Sequence, residues 1–258
     1  MRSSRFGKLD RRLVPAPEPA RVAFLRTHDI AHRGLGGAGL PENSLAAASA
    51  AIRGGLGIEC DVRLSRDGTV IVFHDADTQR MTGQTGSIAQ LATHQILARR
   101  FSGSDEPIPT LTQLLALIAG RVPLLIELKT DTLAQAAPLC LAVRRVLEGY
   151  RWPAAVMGFN PQVGHWFATH APKMVRGLVM TEHRETRGRA LRDAVLRRLA
   201  VRRARPDFLA YDVRFLPSAL PAALGLRGLP VLSWTVRAPQ DREIVARHAD
   251  RPIFERTT

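Results

Sequence analysis

Two histidines, three carboxylates and two cations recur in this sequence where short apolar runs end. His32 is followed by Arg33 and Gly34, Glu59 two residues on by Asp61, His74 by Asp75, and Glu127 two residues on by Lys129. Side chains at i and i+2 of a strand share a face, so Glu59 sides with Asp61 and Glu127 with Lys129. Three carboxylates converging on one place repel each other unless a cation joins them. A donor set made only of oxygen favours a hard ion, Mg2+ or Ca2+. Such an ion polarises a phosphoryl oxygen and offsets its charge. Arg33 and Lys129 suit the remaining charge of a phosphate, and a pair of histidines can act as general acid and general base on a P–O bond. Each motif alone is common at ordinary strand ends; the reading rests on their occurring together and in order.

The elements that must hold these groups form an alternating pattern. Candidate strands are Asp29–His32, Gly57–Asp61, Val70–His74, Leu124–Glu127, Ala154–Phe159, Arg176–Met180, Phe208–Asp212 and Pro230–Thr235. Helical patterns lie between them at Asn43–Arg53, Thr110–Ile118, Leu133–Leu147, Asp193–Arg203 and Gln240–His248. Strands alternating with helices imply a parallel sheet, and eight of them suit a closed α/β barrel, a (β/α)8 TIM barrel, whose active site lies at the C-terminal strand ends. All the candidate groups fall on that rim. The stretch of about 76–107, rich in Gly, Ser and Thr, reads as a small insertion after the third strand; long loops at such a face are usually functional. Residues 1–22 read as a basic arm outside the main fold, and 23–258 as one catalytic domain.

Composition narrows the classes. The 258 residues carry a net charge of +14, with aromatics at 5%. That charge attracts anions, but few aromatics are available to stack on bases and the basic residues are scattered, so nucleic acid is not expected as a partner. A weak contact with an anionic membrane surface is. The one dense basic run, Arg197–Arg205, reads as a solvated helix face. Two cysteines, Cys60 and Cys140, without CxxC spacing argue against a disulfide scaffold or thiolate zinc site and fit a reducing compartment. No apolar leader segment and no long apolar span is visible, so a cytoplasmic protein is expected.

The segments IAHRG, PENSLAAASAAI and GIECDVRLSRDGTVIVFHD, between Ile30 and Asp75, closely resemble the glycerophosphodiester phosphodiesterase family. IPTLTQLL, LLIELK and LSWTV follow in the family's order, so the resemblance covers about residues 28–250. It implies a barrel with a small insertion after the third strand, a divalent cation, and hydrolysis of glycerophosphodiesters to sn-glycerol 3-phosphate and an alcohol. The family's catalytic histidines fall on His32 and His74, its metal-binding acids on Glu59, Asp61 and Glu127, and its HRG arginine and ExK lysine on Arg33 and Lys129. Its PEN motif falls on Glu42 and Asn43, the glutamate standing near the metal or positioning the site. The WTV tryptophan, which lines the glycerol side, falls on Trp234, and Phe159 belongs to the pocket at the fifth strand. Departures are Gly158 where the family has Ser before that Phe, Arg237 where it has Asn after WTV, a longer glycine-rich loop before Pro41, and ADRPIFERTT in place of the usual acidic end. Rival readings are a lysophospholipase D-type or other lipid phosphodiesterase on the same barrel, and a degenerate barrel that only binds anions. The retention of every catalytic group speaks against the second. Mg2+ and Ca2+ suit the oxygen set equally, and either histidine can serve as acid or base.

Overall fold

The computed structural model describes residues 7–37, 39–182 and 187–256. Among the described residues there are nine strands: β1 Ile30–Ala31, β2 Gly57–Leu64, β3 Val70–Val72, β4 Leu124–Leu128, β5 Ala154–Met157, β6 Val175–Met180, β7 Phe208–Asp212, β8 Val231–Val236 and β9 Arg251–Phe254. They hydrogen-bond in the order β1-β9-β8-β7-β6-β5-β4-β2-β3, with β1 also paired to β2. The eight strands other than β3 therefore close the parallel barrel of a (β/α)8 fold. One expected strand changes role, and one strand was not expected. The Val70 run is antiparallel to β2, pairing Val62 with Val72, so it forms a hairpin outside the barrel ring. The eighth barrel strand is instead β9, which pairs parallel with β8 through Ser233 and Pro252. A proline inside a four-residue run argues against a strand on sequence grounds. The insertion does follow the third strand in chain order, but that strand is the hairpin partner.

By contacts the chain forms two compact units. The first comprises Ile30–Ala155 and the residues from Glu255 onward. Here β2 is buried along both faces, as a barrel strand covered inside and outside must be. Its register with β4 sets Asp61 beside Glu127. Gly57 lets β1 approach: a Cβ there would stand 2.4 Å from Ile30 Cδ1. Helix α1 (Leu45–Arg53) starts at Ser44, whose hydroxyl accepts from Ala47 N, and it buries Ala47, Ala48, Ala50 and Ala51. That alanine-rich sequence favours helix and allows a close approach to the sheet. Helix α2 (Leu111–Ile118) starts at a Thr110–Gln113 capping box and buries Leu111, Leu114, Leu115 and Ile118, one face at 3.6-residue spacing. Helix α3 is Leu133–Val146. The insertion has a core of its own: Ile88, Ile96 and Phe101 pack with Ile71, Phe73 and Ile108.

The second unit comprises the residues up to Asp29 and Val156–Phe254. Its parallel strands β6, β7, β8 and β9 pack against helices α4 (Pro161–His170), α5 (Arg187–Ala204), α6 (Ala219–Gly225) and α7 (Pro239–His248). Val14, Val201, Leu209, Tyr211 and Leu224 share one buried cluster. The expected outlying arm is thus corrected in part. Residues 1–6 lie outside the described residues, but Val14 joins this core and Asp10, fully buried, receives Arg198 Nε at 2.6 Å and Nη2 at 2.8 Å. The arm reads as polar because its basic residues outnumber the few that anchor it. Among the described residues no helix is long and apolar enough to cross a membrane.

Removing one partner of a buried ion pair leaves an uncompensated charge and costs about 3–5 kcal/mol. Asp10→Ala is therefore expected to lower the unfolding midpoint by roughly 2–4 °C per kcal/mol lost. A thermal scan within 1 °C or so of the wild type would return residues 7–22 to the status of a loose arm.

Candidate active site

Glu59, Asp61 and Glu127 converge. One carboxylate oxygen from each lies within 4.8 Å of the others, and all three side chains are buried. The cause is local: Glu59 and Asp61 stand at i and i+2 on β2, and register brings Glu127 of β4 alongside Asp61. Cations and donors surround the cluster. Lys129 Nζ donates to Glu127 Oε1 at 2.6 Å and lies 3.1 Å from Asp61 Oδ1. Arg33 Nε lies 3.1 Å from Asp61 Oδ2. Asn43 grips Asp61 twice, Nδ2 donating to Oδ2 at 3.0 Å and Asp61 N donating to Asn43 Oδ1 at 3.1 Å.

Backbone geometry supports these contacts. Arg33 and Asn43 both adopt left-handed conformations, φ 55° and 58°, which cost non-glycine residues roughly 1–3 kcal/mol each. They are held by Arg33 N donating to Glu59 Oε2 at 3.0 Å and Asn43 N donating to Arg33 O at 2.8 Å. Gly34 follows at φ 73°, and a Cβ there would meet the Ala47 backbone at 2.9 Å. The HRG and PEN segments are thus one interlocked turn presenting Arg33, Asn43 and Glu42.

Each histidine leans on a carboxylate through Nδ1. His32 Nδ1 lies 2.7 Å from Glu255 Oε1, and its Nε2 is 3.9 Å from Glu59 Oε2. His74 Nδ1 lies 2.7 Å from Asp75 Oδ1. Asp75 is held by Arg80 Nε at 2.5 Å; Arg80 Nη2 reaches Glu42 Oε1 at 2.6 Å, which in turn accepts from Arg33 Nη1 at 2.9 Å. Charges thus alternate in sign from Asp75 through Arg80, Glu42 and Arg33 to Asp61. Burial would depress His32, but Glu255 and Glu59 raise it; burial depresses His74, assisted by Lys129 and Arg33 against Asp61 and Asp75. Burial and then Asp61 push Glu59 up to about 8, and burial also raises Glu127. Asp61 stays below its ordinary range because Lys129 and Arg33 outweigh its burial.

The donor set fits a divalent cation. It is all oxygen, and among the described residues Glu59 Oε1 is buried without a hydrogen bond, a condition that a bound cation would relieve. Glu42, a further metal candidate, is instead engaged by Arg33 and Arg80 and stands outside the three-carboxylate cluster. Phe159 and Trp234 meet each other edge to face in the second unit, centroids 5.4 Å apart, and Trp234 Nε1 donates to Ala210 O at 3.0 Å. Sequence reading missed Glu255 and Arg80. The signal for Glu255 was an acid one residue past a final strand, hidden because the barrel was closed at the wrong strand. Arg80 carries no signal short of the folded insertion.

The sequence model of the glycerophosphoryl diester phosphodiesterase family matches residues 32–251. The chain belongs to this family. Its members are phosphoric diester hydrolases. The chain is 35% identical over 115 residues to human glycerophosphodiester phosphodiesterase 1, covering 40% of this chain and 34% of the relative. It is also 35% identical over 106 residues to the glycerophosphodiester phosphodiesterase of Caldanaerobacter subterraneus, 38% of this chain and 42% of the relative. The matches thus span well under two thirds of these relatives' lengths. The fold is shared with a phosphodiesterase of Oleispira antarctica solved with the product sn-glycerol-3-phosphate, at TM-score 0.75 and 22% identity over 89% of this chain and 93% of that one. A glycerophosphodiester phosphodiesterase of Parabacteroides distasonis gives 0.73 and 21%, over 89% and 93%.

Glu59→Gln tests the cluster. Because the folded-state pKa of Glu59 is raised from an ordinary 4.5 to about 8, the folded protein binds the extra proton. In EDTA, wild-type stability should therefore fall, relative to the variant, as pH rises from about 4.5 to about 8, then level off. Adding Mg2+ or Ca2+ at pH 8 should raise the melting temperature of the wild type and not of the variant. Equal responses to the ions would dismiss Glu59 as a ligand.

Proposed function

We propose that this family member hydrolyses glycerophosphodiesters to sn-glycerol 3-phosphate and an alcohol, with Glu59, Asp61 and Glu127 holding Mg2+ or Ca2+ and with His32 and His74 as the general acid–base pair. The observation that carries the reading is that both histidines are oriented through Nδ1 by carboxylates, Glu255 and Asp75, in the same unit as the three buried acids. A bound divalent ion would polarise the phosphoryl group and offset its charge. Arg33 and Lys129, already in place beside Asp61, bind the remaining phosphate charge. With Nδ1 occupied, Nε2 of each ring is the atom left to move a proton. One histidine takes the proton of the nucleophile, water or the 2-hydroxyl of the glycerol, and the other returns one to the leaving alcohol oxygen; the 2-hydroxyl route gives a cyclic phosphate that water then opens to sn-glycerol 3-phosphate. Phe159 and Trp234, an edge-to-face pair, are residues that the family resemblance assigns to the substrate pocket, Trp234 to its glycerol side. The product bound to the Oleispira antarctica phosphodiesterase is of the class expected here. Two free, buried cysteines agree with a cytoplasmic setting.

One observation favours the lipid-substrate alternative. A cavity of about 340 Å3 beside Lys129 is walled by Leu64, Ile88, Pro138 and Leu139 as well as Arg63 and Asp131, so a substrate whose glycerol carries an acyl chain has an apolar wall to lie against. Comparing turnover of glycerophosphocholine with that of lysophosphatidylcholine decides between the two.

His32→Ala and His74→Ala should each lower kcat for glycerophosphocholine by about 10²–10⁴, read as glycerol 3-phosphate release that is lost in EDTA. Near-normal turnover in either would sink the acid–base assignment. Glu255→Ala, which frees the His32 ring, should lower kcat about 10–100-fold with little change in KM. An unchanged kcat would reduce Glu255 to a surface acid.

A further inference from the structure

Helix α5 is inside out. Its inward face carries Arg198, Val201 and Ala204, all buried, with Arg198 clasping Asp10. Its outward face carries Leu191, Val195, Leu196 and Leu199, exposed by 59%, 40%, 49% and 55%. Among them stand Arg192, Arg202 and Arg203, also exposed. At 3.6 residues per turn these seven positions occupy a single arc of about 140°. A surface helix ordinarily turns its leucines inward; here the inward positions hold a charged pair and the leucines are left to solvent.

We propose that this face is a docking surface for an anionic phospholipid bilayer. Four aliphatic side chains along the helix can enter the boundary between headgroups and acyl chains, the posture of a helix lying in the interface plane. Arg192, Arg202 and Arg203 have stems long enough to run along that apolar surface while their guanidinium groups reach lipid phosphates. Arg203 has its guanidinium on Gln162 Oε1, at 3.2 and 2.9 Å, a neutral acceptor it can exchange for phosphate. Charge decides against a second copy of the chain as the occupant. Two such faces would set arginines against arginines, on molecules that each carry a net charge of +14. An anionic surface meets the same arginines with the opposite sign. The docking needs no catalysis and stands apart from the reaction proposed above.

The test is co-sedimentation of the full chain with vesicles of phosphatidylcholine alone and of phosphatidylcholine with phosphatidylglycerol, at low and high salt. The wild type should pellet with the anionic vesicles only, and less at high salt. Leu191→Ser with Leu199→Ser should weaken that partition by about tenfold or more, and Arg192→Gln or Arg202→Gln by about fivefold each. Melting temperature shows that the variants are folded. A wild type that ignores anionic vesicles, or a serine variant that binds them equally, overturns the proposal. So does a dimer, read by light scattering, that the serine substitutions dissociate. Failure to turn over glycerophosphocholine would sink the reaction and leave the vesicle result standing.

Discussion

Three carboxylates buried within 4.8 Å of one another set the terms for this half of the molecule. In a medium of low polarity their mutual repulsion is large, so every nearby group is placed to relieve it. Lys129 bridges Glu127 and Asp61, Arg33 approaches Asp61, and Asn43 fixes the orientation of the same side chain. Even so, Glu59 retains an oxygen without a donor. The protein stops short of neutralising the cluster, and that shortfall leaves it able to hold a cation.

The same constraint explains why the histidines need partners of their own. Near so many acids an imidazole without an anchor could swing toward any of them. Glu255 and Asp75 each take one nitrogen of one ring. Arg80, from the insertion, is shared between Asp75 and Glu42, and so links the His74 side to the Arg33 turn. The insertion, with its own apolar core, is thereby a support for the site.

Much of this was legible in the residues. The i and i+2 spacing of Glu59 and Asp61 is a property of any strand, and the convergence with Glu127 followed once β2 and β4 were neighbours. What was not legible depended on pairings distant in sequence. Nothing within Val70–Val72 reveals that it runs antiparallel to its predecessor, and nothing within Arg251–Phe254 outweighs the proline that argues against a strand. Missing β9 hid Glu255, and the single buried aspartate of the arm gave no hint of Arg198, 188 residues away. Helix α5 misled in a different way: its arginines read as a solvated face, whereas one of them is buried and the leucines are outside.

The contact between His32 and Glu255 spans 223 residues. A chain emerging from the ribosome N-terminus first displays His32, Glu59, Asp61 and His74 long before residue 255 is made. The incomplete chain can gather its acids and yet lacks the group that fixes one of its two imidazoles. That anchor arrives only once residue 255 is made, when the segments that form every strand of the barrel have already been synthesised.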